Sequence, residues 1–149
     1  MHSKYIRIQL VLAWGCLLLG IIIYLFFRSR EHLGFVLLDY MGLKSVVDAA
    51  RSLVAGVVLP DFICCCLPDG LWAGSYILFS DYCNRKERMK TRLMYASVIP
   101  MLGVVSELLQ FTSLMPGVYD IRDLVCYILP FLIYIEILIS NRNENISIN

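Results

Sequence analysis

The segment GVVSELLQFTSLMPGVYDIRD, residues 103–123, holds the side chains of this sequence that are best suited to chemistry. Glu107 and Gln110 lie near the end of an apolar run, and Asp120, Arg122 and Asp123 follow a short loop. An unpaired charge inside a membrane span costs about 2.5–3.5 kcal/mol, so Glu107 needs either a cationic partner such as Arg122 or a proton. Carboxylates, an amide and a guanidinium in one place predict a site for a polar ligand.

Composition places these side chains in a membrane protein. Of the 149 residues 59% are hydrophobic and the mean hydropathy is +0.71, whereas soluble domains contain about 45–50% apolar residues. The net charge of +1, with the cations in short clusters, argues against a nucleic-acid partner. The six cysteines, including the run at 64–66, lack zinc or CxxC spacing, and His2 and His32 are isolated. We therefore predict no metal site and no cofactor.

The apolar stretches predict an all-α fold, a single membrane domain built as a bundle of four transmembrane helices. Residues 8–27 contain no charge and would span about 30 Å as a helix. The other predicted spans are residues 67–86, 93–111 and 123–140. Between the first two spans, residues 42–55 carry apolar and polar residues on opposite faces, which predicts an amphipathic helix in the interface plane.

Two features refine the predicted spans. Pro100 and Pro130 fall inside the third and fourth spans and are expected to kink them. The first span has an alternative interpretation as a lipoprotein signal ending at Cys16. The bulky Trp14 and the apolar residues beyond Cys16 favour an uncleaved anchor.

The distribution of positive charge predicts the orientation. The connection between the second and third spans contains Arg85, Lys86, Arg88, Lys90 and Arg92, which indicates a cytoplasmic loop. Both ends of the chain are then expected on the cytoplasmic side, in agreement with the positions of Lys4, Arg7 and Arg142. Arg28 and Arg30 would lie outside and argue against this orientation.

This topology gathers distant polar residues at the outer face. The second span begins near Asp69, the third ends after Glu107 and Gln110, and the fourth begins after Asp120, Arg122 and Asp123. The predicted ligand-binding residues are Asp69, Glu107, Gln110, Asp120, Arg122 and Asp123, with Trp72, Tyr76, Ser106 and Tyr127 as supporting side chains. Asp69 in a first helical turn, and Asp120 with Asp123 as N-cap and N3 acid, also have purely structural interpretations.

The pattern SELLQ at the end of a span, a short polar loop and an aspartate entering the next span resembles the VanZ-like family of small bacterial membrane proteins. The resemblance covers residues 93–134 and carries over to Glu107, Gln110 and Asp123; LPDGLWAGSY at 67–76 is similar to the second-helix entry of some members. The chain departs from the pattern at three positions. Val118 stands where a loop arginine is usual, and Arg122 is the substitute considered for it. The other two departures are at Tyr127 and Pro130. The resemblance implies a place in the bacterial cytoplasmic membrane and a link to the cell envelope, because the namesake is associated with glycopeptide-antibiotic resistance.

Three functional hypotheses follow from these patterns. The first is binding of a polar headgroup or of an envelope lipid or glycan precursor at the outer-face site. The second is a membrane enzyme with Glu107 as general base, although no Ser-His-Asp, HExxH or other catalytic constellation is present. The third is a small transport element in which Glu107 titrates, although no row of polar residues crosses the predicted membrane. The oligomeric state does not follow from the sequence.

Overall fold

The computed structural model describes residues 2–30, 33–115 and 117–147, and this part of the chain is helical and contains no strand. The side chains of Lys4, Arg142, His2 and His32, on which some predictions depend, lie outside the described residues. The helices are α1 His2–Phe27, α2 Leu33–Tyr40, α3 Lys44–Ser52, a π-helical turn Phe62–Cys66, α4 Leu67–Cys83, α5 Met89–Ala96, α6 Val98–Phe111 and α7 Ile121–Ser147.

Three helical segments are long and apolar enough to cross a membrane, namely Ile6–Phe27, Phe62–Cys83 and Ile121–Ser140. Helices α5 and α6 together form a fourth candidate, bent by 41° at the break between them. Large apolar side chains such as Val11, Met101 and Ile137 are exposed on these helices, as expected for surfaces that face lipid. These features fit a multi-pass membrane protein.

The second apolar segment differs from the predicted range 67–86 at both ends. It begins earlier, because the π-helical turn at Phe62–Cys66 continues directly into α4 and adds a turn of apolar chain. Pro68 lacks an N–H and its ring crowds the carbonyl of residue 64, and a wider turn relieves that conflict. The helix ends at Cys83, where the Asn84 side chain donates to the Ser80 carbonyl at 2.9 Å, so the predicted extension to residue 86 is wrong.

The two prolines have different effects. Pro100 lies in the first turn of α6, and the break falls just before it, at Ser97. A proline cannot donate to the carbonyl four residues earlier and collides with it, which explains why α5 ends at Ala96. Pro130 lies inside the continuous helix α7 and packs at the level of Gly74 of α4.

Helix α4 is the centre of the fold and packs extensively against α1 on one side and α7 on the other, while α6 packs mainly against α7. Small residues permit the close approaches. A Cβ on Gly20 of α1 would lie 2.6 Å from Nε1 of Trp72, and one on Gly70 would lie 3.1 Å from the backbone oxygen of Cys126. Association in lipid depends on such close packing, because apolar burial there provides no driving force.

Helices α2 and α3, called the cap below, cover one end of α1. Phe35 of α2 is 1% exposed and stacks on Tyr24 of α1 with ring centroids 5.3 Å apart. The guanidinium of Arg51 lies 5.2 Å from the centre of the Phe35 ring and donates to the Leu25 carbonyl at 3.0 Å. Helix α3 lies within the predicted amphipathic segment 42–55, whereas α2 was not predicted.

Replacement of Gly20 by alanine tests the contact between α1 and α4. The added methyl group collides with the Trp72 indole, and overpacking of this kind costs about 1–3 kcal/mol. Gly15→Ala on the same helix is the matched control, because nothing lies within 4 Å of its Cβ position and alanine favours a helix by up to about 1 kcal/mol. Thermal unfolding in detergent should show a lower Tm for Gly20→Ala only. Equal Tm values for the two variants would contradict this packing.

Candidate functional site

Polar side chains of the described residues collect at two opposite ends of the helices. The first group, called the Arg28 cluster, consists of Arg28, Asp69, Glu107, Asp123 and Tyr127. It lies where α1 and α6 end and where α4 and α7 begin. The second, called the Asp81 network, consists of Gln9, Asp81, Arg92 and Tyr134. Asp81 lies twelve positions after Asp69 on α4, which corresponds to about 18 Å along the helix axis.

Asp69 links α1 and α4 in the Arg28 cluster, and Tyr127 of α7 lies near it. Asp69 occupies the first turn of α4, and its Oδ2 lies 3.8 Å from a guanidinium nitrogen of Arg28. Arg28 also donates to the backbone carbonyl of Cys65, so one side chain at the end of α1 bridges two turns of the next span. The Tyr127 side chain on α7 lies within electrostatic range of the Asp69 carboxylate. The cationic partner in this cluster is therefore Arg28.

Glu107 has an unexpected partner. Its side chain is buried, and Oε2 accepts the backbone N–H of Asp120 at 3.2 Å. Asp120 in turn caps α7, because its Oδ1 accepts the backbone N–H of Arg122 at 2.8 Å. In a capping box, an acid at the third helical position would bond to the N-cap amide. Here Glu107 of α6 takes that role, so the cap is completed by a neighbouring helix.

Asp123, the acid at the third position of α7, is consequently released from the capping box. Its carboxylate lies within electrostatic range of the Cys66 thiol. The Oδ1 atom is buried and has no hydrogen-bond partner among the described residues. A buried carboxylate oxygen without a partner carries a large desolvation penalty, which a ligand with an N–H or O–H donor would offset.

The electrostatic balance of the Arg28 cluster is negative. Asp69 lies within electrostatic range of Asp123 and Glu107, so three carboxylates from three helices share one region. Arg28 is the single cation that the described ion pairs bring to them. The arrangement suits a ligand that offers positive charge or several hydrogen-bond donors. No group of three His, Cys, Asp or Glu residues in the described part of the chain could hold a metal ion.

The structure places the remaining predicted residues elsewhere. Arg122 is exposed and forms none of the ion pairs found among residues 2–30, 33–115 and 117–147, so of the two alternatives considered for Glu107, a pair with Arg122 or a proton, the first is absent from the structure. Gln110 donates to Ser106 at 3.3 Å, and its side chain packs against Gly117 of the following loop. Trp72 faces α1, where its ring lies 5.2 Å from that of Tyr24, and the Tyr76 hydroxyl donates to the Tyr95 carbonyl at 2.9 Å.

Asp81 forms the most complete polar network of the described chain. Its side chain is buried, yet Oδ1 accepts Nε and Nη2 of Arg92 at 2.9 and 2.6 Å and the Tyr134 hydroxyl at 2.5 Å. Oδ2 accepts the Gln9 amide at 2.9 Å. These bonds join α1, α4, α5 and α7. The network is saturated with donors and is positioned to stabilise the fold.

Sequence reasoning missed Arg28, Cys66 and the whole Asp81 network. Arg28 was treated as a charge of the loop after the first span. It directly follows that apolar span, however, and it faces Asp69, the acid in the first turn of α4. For Asp81, the signal was available: an acid near the end of an apolar segment needs a partner for the same reason as Glu107. The cysteine left no signal, because its role depends on an aspartate distant in sequence.

No protein-family model matches this chain, and searches of curated proteins and of solved structures also return no match. The resemblance of residues 93–134 to the VanZ-like family therefore stays a prediction from the residues themselves. The two polar groups of the structure are the independent basis for a functional proposal.

Replacement of Asp81 by asparagine tests the structural role of its network. Loss of one partner from a buried ion pair costs about 3–5 kcal/mol, because the guanidinium of Arg92 loses its counter-charge. Asp39→Asn is the matched control, since the Arg30–Asp39 pair is more exposed and such pairs are worth at most about 1 kcal/mol. Unfolding by denaturant in detergent micelles should separate the two variants. Similar losses in both would refute the role of the network.

Proposed function

We propose that this chain is a four-span, multi-pass protein of the bacterial cell envelope that binds a polar headgroup or envelope precursor at the Arg28 cluster. The observation that carries the proposal is the buried and unpartnered Oδ1 of Asp123, which lies among three carboxylates at the end of the apolar helices. A binding site requires such unsatisfied capacity, and the saturated Asp81 network lacks it.

In the proposed topology, α1, α4, the bent pair α5–α6 and α7 cross the bilayer, and both ends of the chain face the cytoplasm. The exposed cations Arg85, Lys86, Arg88 and Lys90 then lie inside. Arg28 and Arg30, which would lie outside, are paired with Asp69 and with Asp39 and Asp48. Because both arginines are paired with carboxylates, they are weaker evidence against this orientation than unpaired cations would be, and this supports the proposed topology.

The cap would lie in the outer headgroup region, as the amphipathic character of residues 42–55 suggests. Its surface carries exposed apolar side chains, including Leu37, Tyr40 and Val46. Such side chains would enter the boundary between headgroups and acyl chains. The Arg28 cluster would then lie at the depth where lipid headgroups are found.

The charges of the cluster define the ligand chemistry. Arg28 suits a phosphate oxygen, and the carboxylates of Asp69 and Asp123 suit hydroxyl or ammonium donors. The ligand would therefore combine a phosphate with N–H or O–H donors, as lipid headgroups and lipid-linked glycans do. In the comparison with the VanZ-like pattern, Arg28 would supply the guanidinium that position 118 lacks.

No observation specifically favours the other two hypotheses, a membrane enzyme and a transport element. Glu107 is engaged by the Asp120 amide and acts as a positioning group for the α7 cap, which disfavours it as a general base. The two polar groups lie about 18 Å apart along α4, and of the buried residues Ala73, Ser75 and Ile77 between them only Ser75 is polar. One buried hydroxyl does not form a polar path from one face to the other, which disfavours the transport hypothesis.

Two phospholipids provide a direct test of ligand binding. Phosphatidylethanolamine and phosphatidylcholine share a phosphate and a net charge of zero, but only the former has N–H donors. We expect the native chain in detergent to retain the ethanolamine lipid preferentially, by about tenfold for one charge-assisted hydrogen bond pair. Asp123→Asn and Asp69→Asn should reduce this preference, as measured by mass spectrometry of the co-purified lipid.

Asp61→Asn is the control for that measurement, because Asp61 is an exposed acid at the start of the π-helical turn. It should keep the preference of the native chain. Far-UV circular dichroism and Tm establish that each variant is folded. Equal retention of the two lipids by the native chain, or an unchanged preference in both site variants, would contradict the proposal.

The orientation has its own test, cysteine labelling in intact cells in a cysteine-free background. Val118 is 87% exposed in the loop before α7, and Lys86 is exposed in the loop after α4. A membrane-impermeant maleimide should label Val118→Cys in intact cells and Lys86→Cys only after lysis. The reverse pattern would show that the Arg28 cluster faces the cytoplasm.

A further inference from the structure

The loop between α4 and α5 carries a dense group of cations, called the basic patch, which consists of Arg85, Lys86, Arg88 and Lys90. All four side chains are exposed, and none belongs to an ion pair within 4 Å in the described part of the chain. One acid, Glu87, lies among them. The patch therefore presents a net positive charge that the protein itself leaves unneutralised.

The fold holds this loop in a defined place. Asn84 closes the end of α4 by donating to Ser80, and the Arg85 guanidinium lies 5.0 Å from the centre of the Tyr82 ring. On the other side of the loop, Met89 and Leu93 pack against the buried cluster around Ile77 and Tyr134. The backbone on both sides of the patch is thus fixed to the helices.

Arg92 shows that the basic residues of this segment have two different roles. Its guanidinium turns inward and binds the buried Asp81. That bond fixes the first turns of α5 against α4, and the other four cations remain at the surface. Arg7 on α1 is also exposed, two residues from Gln9, which contacts the same Asp81, so its charge adds to the same end.

The depth of the patch identifies its partner. The apolar segment Phe62–Cys83 ends two residues before Arg85, and the apolar bent pair begins at Met89. Cations at the ends of apolar spans lie among lipid headgroups, where long side chains reach the phosphates while their stems stay near the acyl chains. We propose that the basic patch binds anionic phospholipid headgroups in the leaflet at the Asp81 end.

Competition between two lipids with matched acyl chains tests this interaction. The full chain is purified in micelles doped with equal amounts of phosphatidylglycerol and phosphatidylcholine, and the retained lipids are quantified by mass spectrometry. We expect phosphatidylglycerol to be enriched about fivefold or more, since one cation near an anionic surface accounts for about that factor. The variant R85Q/K86Q/R88Q/K90Q should show an enrichment below about twofold.

Three comparisons make the result specific. The charge-conserving variant R85K/K86R/R88K/K90R should keep the enrichment, and K44Q/R122Q, which removes two exposed cations at the opposite end, should change it little. Salt should weaken the enrichment in the native chain, since ions screen exposed charges.

Two outcomes would overturn the proposal. One is equal retention of the two lipids by the native chain at low salt, and the other is full enrichment in the glutamine variant. If circular dichroism shows that the glutamine variant is unfolded, the salt titration of the native chain becomes the test of the proposal. A native enrichment that does not change with salt would then also reject an electrostatic contact at the basic patch.

Discussion

A carboxylate in an apolar helix must find a donor on another helix, and this requirement fixes how the helices of the protein are placed. Apolar surfaces in lipid can slide past one another at little cost, because acyl chains are as apolar as the side chains they replace. Polar bonds do not permit such sliding. Asp69 joins α4 to α1, Glu107 joins α6 to the start of α7, and Asp81 joins α4 to α1, α5 and α7.

These bonds form because the backbones approach closely between them. Gly20 packs against the Trp72 ring and Gly103 against the ring of Tyr127, both without space for a Cβ in the present packing, and a Cβ on Gly70 would meet the backbone of Cys126 in a tight contact. The small residue Gly103 on α6 therefore lets the Tyr127 ring of α7 pack beside it, within electrostatic range of Asp69 on α4.

The sequence supported the positions of the apolar helices and the importance of Glu107, but not the partners. Hydropathy and charge determine where a helix can cross, so the apolar runs at 8–27 and 123–140 overlap the observed segments Ile6–Phe27 and Ile121–Ser140. Partner choice depends on which helices are neighbours. Arg122 was one of two alternatives considered for Glu107, the other being a proton, whereas the partner in the structure is the Asp120 amide and the cluster's cation, Arg28, comes from α1. Only the packing of α1 on α4 brings that arginine to Asp69.

The two polar groups differ in a way that separates stability from binding. Both oxygens of the Asp81 carboxylate are used, by four donors on three other helices, so little accepting capacity is left for an additional ligand. In the Arg28 cluster, Glu107 of α6 completes the α7 cap and thereby releases Asp123, the residue that would otherwise close it. The released carboxylate keeps one buried oxygen without a partner beside two further acids. A protein selected only for stability would gain by removing that group, and its presence at the end of the apolar helices is the physical reason for proposing a binding function there.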